Sequence, residues 1–181
     1  MSYSFSHPFF SSLRLGAAVA VSALFWSGSA AAAGLAAADQ TFLLKAAQGG
    51  ATEVAASKAA QTKAASNDVK SFAQMMIKDH TAVGDELKQL AGSKGVQVAE
   101  QPPSAQQAKL DAMSKLDAKT FDKSYASEIG VNAHENTVAL FEKASADAKD
   151  PDVKAFASKA LPSLKHHLEM AKTLKAGVDK K

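Results

Sequence analysis

Apolar and small residues recur along most of the chain at alternating spacings of four and three, which is typical of α-helices with one buried stripe. Between about Asp39 and Ala65 the stripe comprises Phe42, Ala46, Gly49, Glu53, Ala56 and Ala60. Asn67 or Asp68 is the expected N-cap of the next helix, which ends at Gly92 and Gly95. Its stripe comprises Phe72, Met76, His80, Val83, Leu87 and Leu90. The short turn between the two segments predicts an antiparallel hairpin.

A second hairpin is predicted in the C-terminal half. Its first helix runs from near Thr120 to Asp150, with the stripe Phe121, Tyr125, Val131, His134, Val138 and Phe141. Pro151 suits the first position of the next helix, where its missing N–H is not needed. The stripe of that helix comprises Val153, Ala157, Ala160, Leu164, His167, Ala171 and Leu174. Pro162 lies inside this helix and is expected to kink it.

The stretch from 93 to 119 joins the hairpins and contains Pro102, Pro103 and a short helix from Ser104 to about Leu116. The segment at 68–73 (DVKSFA) recurs at 152–157 (DVKAFA), in each case at the start of a hairpin's second helix. Two similar hairpins joined by a long crossover predict an all-α, ferritin-like four-helix bundle whose crossover carries a short helix. An up-down-up-down order is the alternative, because the linker could also double back.

The N-terminal residues have the layout of a secretory leader. A basic residue, Arg14, precedes an apolar run of 12 residues, Leu15–Trp26, and small residues follow up to Ala33. The run is too short for a membrane span, which needs about 20 residues. We therefore expect a signal peptide over 1–33, cleaved possibly as late as 38, and one domain over 34–181; an uncleaved anchor is the alternative. The protein is then exported to the periplasm or cell envelope, without an integral membrane span.

Charge and composition exclude several classes of function. The full chain carries +3, and without Arg14 it has 20 lysines against 18 acidic residues, a formal +2 with no arginine. Arginine supplies most bidentate contacts to bases and phosphates, so a nucleic-acid partner is not expected. The absence of cysteine excludes disulfides and thiolate metal sites. An envelope protein or a second copy of the chain remains a candidate partner.

Each predicted long helix places one ionisable residue on its buried stripe: Glu53, His80, His134 or His167. Glu53 and His80 are equally far from the first hairpin turn, and His134 and His167 are equally far from the second. The two residues of each pair should therefore lie at the same height along the bundle axis. The pairs meet near mid-bundle if the turns lie at opposite ends, and differ by about 4.5 Å in height if they do not.

One carboxylate and three imidazoles are a plausible ligand set for Zn²⁺, Fe²⁺, Mn²⁺ or Cu²⁺. Asp79, Glu128 and Glu135 lie at the stripe edges and could orient the imidazoles through hydrogen bonds. The alternative is a metal-free network of buried, hydrogen-bonded Glu and His side chains. Gly49 and Gly50 precede Glu53 by one turn, which suggests a ligand or backbone approaching closely, or tight helix packing. His166 leaves the stripe and is expected at the surface.

These residues also resemble a known family. The motifs are Phe42-x3-Ala46-x2-Gly49-Gly50-x2-Glu53-Val54, Val69-Lys70-x-Phe72-Ala73-x2-Met76-x2-Asp79-His80, Phe121-Asp122-x2-Tyr125-x8-His134 and Leu161-Pro162-x-Leu164-x2-His167-Leu168. Over about 39–174 they are similar to the bacterial domain-of-unknown-function family 4142. The resemblance implies an exported, ferritin-like protein, often labelled an outer-membrane protein, whose characteristic polar positions are Glu53, Asp79, His80, His134 and His167.

Two departures limit what the resemblance implies. Ala133 stands where an Asp commonly precedes the third-helix histidine, so a symmetric pair of Asp-His sites is not expected. The Glu-x-x-His pairs of di-iron ferritins are also missing, so neither ferroxidase activity nor iron storage follows from the fold.

The sequence thus predicts an exported bundle that binds a transition metal through Glu53, His80, His134 and His167. No nucleophile elbow, phosphate loop or Ser-His-Asp arrangement is visible, so an enzyme is not expected. Two alternatives stay open. One is a metal-free structural, envelope-stress or interaction protein, which predicts an exposed apolar patch at Leu110, Met113 and Leu116. The other is a redox or peroxide-handling metalloenzyme.

Overall fold

The computed structural model describes residues 34–180, so the predicted leader lies outside the described residues. Within this range the chain is helical and contains no strand, which confirms the all-α fold. The elements are α1 (Ala37–Lys63), α2 (Asn67–Ser93), α3 (Ser104–Ser114), α4 (Ala118–Ser124), a π-helix (Tyr125–Ala133), α5 (His134–Asp147) and α6 (Pro151–Asp179). None of the helices in residues 34–180 combines the length and apolar character of a membrane span.

The two hairpin turns lie at opposite ends of the bundle. Asp122 lies in α4, near the start of the third long helix, and accepts hydrogen bonds from the backbone N–H of Ala65 (3.2 Å) and Ser66 (2.8 Å) in the first turn. Asp39, at the start of α1, accepts bonds in the same way from Lys149 (3.0 Å) and Asp150 (2.7 Å) in the second turn. The crossover at 94–117 therefore runs the length of the bundle, which confirms the ferritin-like order and excludes the up-down-up-down alternative.

The third long helix is not uniformly α-helical. It begins at Ala118, passes through the π-helix Tyr125–Ala133 and continues as α5. The predicted stripe used Val131, which is half-buried, and missed Ile129, which is buried. Ile129 and His134 are five residues apart, so they share a face only if the helix widens to the i→i+5 hydrogen bonds of a π-helix. The local π-helix therefore keeps Ile129 and His134 on the same buried face of the helix.

The ends of α2 follow local hydrogen-bonding rules. Ser66, rather than the predicted Asn67 or Asp68, is its N-cap, and the Ser66 hydroxyl accepts from the N–H of Asp68 at 3.2 Å. At the other end Gly95 has φ 72°, the left-handed conformation that glycine adopts without strain. The N–H of the next residue, Val96, bonds back to the α2 carbonyl of Ala91 at 2.8 Å. Helix α6 is continuous through Pro162.

The hydrophobic core forms two clusters, one in each half of the bundle. One contains Phe72, Met76, Phe121, Tyr125, Ile129 and Leu174; the other contains Phe42, Leu43, Leu87, Phe141, Phe156 and Leu164. On each long helix, the residues of the two clusters lie on opposite sides of Glu53, His80, His134 or His167. The core is therefore divided at mid-bundle by a layer of ionisable side chains.

Candidate metal centre

The four predicted residues meet inside the bundle. Their fractional exposures are 2% for Glu53, 5% for His80, 0% for His134 and 2% for His167. The ring centroids of His80 and His134 are 5.4 Å apart, those of His80 and His167 5.4 Å, and those of His134 and His167 5.8 Å. The equal distances from opposed hairpin turns thus bring the four side chains to one level.

Glu53 faces two of the imidazoles. Its Oε2 lies 2.9 Å from Nδ1 of His80, and its Oε1 lies 3.6 Å from Nδ1 of His134. The shorter contact is a buried ion pair, and neither carboxylate oxygen accepts a hydrogen bond from a backbone N–H or a hydroxyl among residues 34–180. Glu53 was predicted to be a metal ligand beside the histidines. Its position against their Nδ1 atoms instead fits a carboxylate that orients the rings and balances charge.

The other two imidazoles are also held by one ring nitrogen each. Nδ1 of His134 lies 3.0 Å from the carbonyl oxygen of Ile129, the residue that the π-helix brings into line with it. Nε2 of His167 lies 3.1 Å from Oδ2 of Asp79. The predicted orienting role of Asp79 therefore has a partner, and the Ile129 carbonyl is a contact that sequence reasoning missed. The five-residue step in the apolar stripe was the available signal for it.

The remaining nitrogen of each ring is buried and has no hydrogen-bond partner: Nε2 of His80, Nε2 of His134 and Nδ1 of His167. One ring nitrogen from each histidine lies within 4.8 Å of the other two. Three imidazoles on one tetrahedral ion, with metal–nitrogen bonds of about 2.1 Å, have nitrogens about 3.4 Å apart. The nitrogens lie up to about 1.4 Å farther apart than this geometry requires, so the three histidines form a candidate metal site whose rings would have to move together on binding.

Burial and the carboxylates set the protonation of the cluster. Burial lowers the pKa of His134, and burial together with the charge of His80 lowers the pKa of His167. Burial alone would lower the pKa of His80 as well, but the contact with Glu53 outweighs it and raises that pKa. Burial would raise the pKa of Glu53, but the facing imidazoles hold it below its ordinary value. Two rings are therefore neutral, the state in which imidazole binds metals.

Two predicted supporting residues are not brought to the cluster. Glu128 and Glu135 are exposed, and Glu128 accepts a hydrogen bond from Asn132 instead. The π-helix changes the direction of Glu128 relative to His134, whereas Glu135 lies in α5 one residue after His134 and points about 100° away from it. His166 is exposed, as predicted.

A buried hydroxyl pair next to the cluster was missed by sequence reasoning. The hydroxyl of Tyr125 lies 2.8 Å from that of Ser57, and both residues are 0% exposed. Ser57 follows Glu53 by one helical turn, and burial raises the pKa of Tyr125 well above its ordinary value. Tyr125 had been assigned to the apolar stripe, where its hydroxyl gave no signal of a partner.

The apolar side of the crossover helix is covered. Leu110 and Met113 are each 8% exposed and pack into the cluster that contains Phe72 and Tyr125, while Leu116 is 36% exposed. The exposed patch that an interaction protein would need at these three residues is therefore reduced to one side chain.

Two grooves lead to Glu53 from either side of α1. The larger groove, about 870 Å³, lies between α1, α3 and the third long helix, and its lining mixes polar and apolar side chains, among them Gln48, Thr52, Leu110, Ile129, Asn136 and Leu140. The smaller groove, about 450 Å³, lies between α1, α2 and the crossover, and its lining is also mixed, among them His80, Asp85, Leu87, Glu100, Phe141 and Leu164. A Cβ on Gly49 would have only Thr137 near it, at 4.0 Å, and one on Gly50 nothing within 4 Å. The glycines therefore leave space, and tight packing does not explain them.

Comparisons with known proteins agree with this architecture. The chain is similar to the crystal structure of a DUF305 fragment from Deinococcus radiodurans, with a TM-score of 0.67 and 14% identity over 82% of this chain and 100% of that one. It is also similar to a structure described as CopM in the Cu(II)-bound form, with a TM-score of 0.64 and 16% identity over 77% of this chain and 96% of that one. At such identities the likeness concerns the fold alone. No curated protein matches the chain.

A family model matches directly over most of the sequence. It is described as a domain of unknown function, DUF4142, and covers residues 26–174, which include all four inward polar side chains. The chain therefore belongs to the DUF4142 family.

Proposed function

We propose that this protein binds one divalent transition-metal ion through the imidazoles of His80, His134 and His167. The observation that carries the proposal is the set of three buried ring nitrogens without partners, each on a ring whose other nitrogen is held by protein. Buried polar atoms are nearly always satisfied, and each exception costs about 1–3 kcal/mol. A shared ion would satisfy all three nitrogens.

The surrounding charges support a divalent ion over a monovalent one. The carboxylate of Glu53 contacts the rings of His80 and His134, and that of Asp79 contacts His167. With neutral imidazoles these two carboxylates supply two negative charges, which balance a 2+ ion. A monovalent ion would leave one of the two charges without a balancing charge at the site, although the Asp79 side chain, at 34% exposure, is partly hydrated and the Glu53 side chain, at 3%, is not.

Three imidazoles favour the later divalent metals, so Zn²⁺ and Cu²⁺ come before Fe²⁺ and Mn²⁺ among the candidates. The structural neighbour described as Cu(II)-bound makes Cu²⁺ a natural first ion to test. When bound, such an ion supplies Lewis acidity and one open coordination position. His134 and His167 act as neutral donors, while Glu53 and Asp79 fix ring orientation and balance charge.

Binding is proposed rather than catalysis, because the hydroxyl of Ser163 lies 3.4 Å from Nε2 of His167 but shares that nitrogen with the closer carboxylate of Asp79, so it is not arranged as an activated nucleophile. The metal-free network is less favoured because a network built for stability would satisfy its own atoms, and this one leaves three ring nitrogens unpartnered. The interaction-protein hypothesis loses support because the apolar face of α3 is covered.

The test compares the mature protein with His80→Ala and His134→Ala, using His166→Ala as the matched control because that neighbour of His167 is exposed. We expect about one equivalent of metal by elemental analysis, and about 2.7 kcal/mol of added stability at a free-metal concentration 100-fold above Kd. Both cluster variants should lose at least tenfold in affinity, whereas the control should not. A metal-free preparation whose melting is unchanged by Zn²⁺, Cu²⁺ or Fe²⁺ would disprove the proposal.

We also propose that the protein acts after export, as residues 1–33 suggest. N-terminal sequencing of the protein from a periplasmic fraction should give a start at residue 34 or as late as 39. An intact Met1 in a membrane fraction would instead favour the uncleaved anchor.

A further inference from the structure

We propose that the buried hydroxyls of Ser57 and Tyr125 position Glu53 at the metal centre, by holding one water molecule against its carboxylate. The inference deepens the proposed function and rests on it. Among residues 34–180 no hydrogen bond joins Ser57 or Tyr125 to a histidine of the cluster. Both residues would therefore act on the metal site through Glu53.

The pair holds one more hydroxyl proton than its own hydrogen bond uses. The oxygens of Ser57 and Tyr125 lie 2.8 Å apart, and both residues are 0% exposed. Each hydroxyl carries one proton, so the bond between them uses one of the two. Among residues 34–180 no acceptor receives the other proton. Buried polar groups are nearly always satisfied, so this proton needs an acceptor.

Ser57 differs from other hydroxyl-bearing residues of the long helices. Thr52 and Ser158 each donate to the backbone carbonyl four residues earlier, at 2.7 Å and 2.8 Å. Ser57 has no such bond, and its hydroxyl bonds instead to Tyr125 of the third long helix. The phenol is the more acidic of the two hydroxyls and is therefore the better donor. This leaves the proton of Ser57 as the unused one.

The carboxylate of Glu53 supplies the acceptor that this proton lacks. Ser57 follows Glu53 by four residues in α1, and residues at this spacing lie on one face of a helix. Neither carboxylate oxygen accepts a hydrogen bond from a backbone N–H or a hydroxyl among residues 34–180. Burial raises the pKa of Tyr125, and the charge of Glu53 adds to the rise, so the carboxylate lies within electrostatic reach of the phenol. A donor without an acceptor thus lies beside an acceptor without such a donor.

One water molecule would complete the connection. The Ser57 hydroxyl makes no direct hydrogen bond with Glu53. A bridging water joins two polar groups that are too far apart for a direct bond, and a buried water needs about two to four polar partners. The hydroxyl of Ser57 and the oxygens of Glu53 provide them. Both grooves reach Glu53, so water has access to this carboxylate.

This water would keep the carboxylate where it contacts the imidazoles. The oxygens of Glu53 lie 2.9 Å from Nδ1 of His80 and 3.6 Å from Nδ1 of His134. Groups that orient metal-binding imidazoles typically change metal affinity about 10–100-fold when they are removed. Ser57 and Tyr125 are therefore positioning residues, because they hold the group that orients two of the rings.

The mature protein gives a direct spectroscopic readout of Tyr125. The full chain has two tyrosines and one tryptophan, and Tyr3 and Trp26 lie within the predicted leader. Tyr125 is then the single tyrosine of the mature protein, which has no tryptophan, so its near-UV absorption band reports on this phenol.

The first experiment measures this band in metal-free protein. Glu53→Met should shift the band to shorter wavelength, because the phenol donates less strongly when the hydrogen-bond chain loses its carboxylate. Glu128→Met is the matched control, since it removes an exposed carboxylate three residues from Tyr125 and should leave the band unchanged. An unshifted band in Glu53→Met would overturn the connection between the hydroxyl pair and the carboxylate.

The second experiment measures Zn²⁺ affinity by chelator competition. We expect Ser57→Ala and Tyr125→Phe each to weaken binding about tenfold, and the double variant to bind less than threefold more weakly than either. In a Glu53→Met background, Tyr125→Phe should change Kd less than twofold, because the carboxylate that it positions is gone. Ser158→Ala, which changes an exposed helical serine, should bind Zn²⁺ like wild type.

Wild-type affinity in both Ser57→Ala and Tyr125→Phe would overturn the positioning role, and so would an equal loss with and without Glu53. Ser57→Ala keeps the test valid if Tyr125→Phe does not fold, which circular dichroism would report. If wild type binds no Zn²⁺ while Glu53→Met still shifts the Tyr125 band, the metal site is wrong and the positioning role falls with it. That result would nevertheless support the hydrogen-bond chain from the hydroxyl pair to Glu53.

Discussion

Buried carboxylates have different partners at the ends of the bundle and in its middle. Asp39 and Asp122 are 2% and 5% exposed, and each accepts hydrogen bonds from two backbone N–H groups of the opposite hairpin's turn. Glu53 is 2% exposed as well, yet its oxygens face only the ring nitrogens of His80 and His134, at 2.9 Å and 3.6 Å. Equal burial therefore accompanies backbone hydrogen bonds at the ends and contacts with imidazoles alone in the middle.

This difference separates carboxylates that stabilise the fold from a carboxylate and imidazoles placed to interact with a ligand. A buried carboxylate bonded to two N–H groups stabilises the folded state, because those donors would otherwise be unpaired. A buried layer with unpartnered imidazole nitrogens costs stability, and proteins retain such a cost mainly at functional sites. We therefore assign the ends to stability, and the contrast supports the binding that we propose for the middle.

Removing an end carboxylate should have the largest effect. Asp39→Ala leaves the N–H groups of Lys149 and Asp150 without their acceptor and separates α1 from the second turn. We expect the free energy of unfolding in urea to fall by about 3 kcal/mol, since each unpaired buried donor costs about 1–3 kcal/mol. Asp122→Ala should behave alike at the other end.

Asp117→Ala is the control for this prediction. Asp117 also accepts from two backbone N–H groups, those of Lys119 and Thr120, but it is an exposed N-cap. Water can replace its bonds, so a loss of about 1 kcal/mol is expected. Equal losses for Asp39→Ala and Asp117→Ala would show that burial does not matter at the bundle ends.

Sequence alone predicts most of the fold because the apolar stripes, Pro151 and Gly95 are local signals. It does not predict the end carboxylates, since Asp39 and Asp122 find their partners 110 and 57 residues away along the chain. Such contacts depend on which ends of the hairpins meet, and that was the alternative left open by the sequence. The N-cap was misplaced because Ser66, Asn67 and Asp68 are all good capping residues.

The site was predictable as a set of four residues, because the distance of each from its hairpin turn fixes its level. The roles within the set were not predictable. Glu53 was expected among the ligands, but only side-chain geometry reveals that it faces Nδ1 of His80. Glu128 was misplaced because it lies in the π-helix, which changes its register relative to His134. Glu135 lies in α5 one residue after His134, about 100° around the helix, and is exposed.

Replacing Glu53 and His80 by apolar residues should raise the stability of the metal-free protein, whereas the variants at the ends of the bundle lower it. Glu53→Met combined with His80→Leu keeps similar volumes and removes both unsatisfied groups. In metal-free protein we expect the free energy of unfolding to rise by about 1–2 kcal/mol, since buried ion pairs are often less stabilising than apolar packing. Urea denaturation in the presence of a chelator measures the change.

The same double variant should show no stabilisation by added Zn²⁺ or Cu²⁺, unlike wild type. Glu53→Met alone is the informative control, because it leaves the imidazole of His80 without its carboxylate. A loss of more than 2 kcal/mol in the double variant would mean that the middle stabilises the fold as the ends do.

Alkaline pH should destabilise the middle of the bundle through ionisation of the buried Tyr125 phenol. Burial raises the pKa of this phenol above its ordinary value of about 10, so the folded state keeps a proton that the unfolded state loses. Stability from this group is present below pH 10 and falls above it, by up to about 1.4 kcal/mol per pH unit. The difference between wild type and Tyr125→Phe isolates this effect from the lysines. Phenolate absorbance of the folded protein at pH 11 would contradict the raised pKa.

The smallest effect is expected from Gly50→Ala. Nothing lies within 4 Å of the added Cβ, and alanine is the better helix former, so the gain should be just under 1 kcal/mol in urea denaturation. Gly130→Ala is the contrasting control, because its Cβ would meet that of Ala171 at 3.1 Å and should lose stability. A higher free energy of unfolding in Gly50→Ala would show that glycine lowers stability at a position where a groove reaches Glu53. A lower free energy of unfolding would mean that Gly50 stabilises the fold.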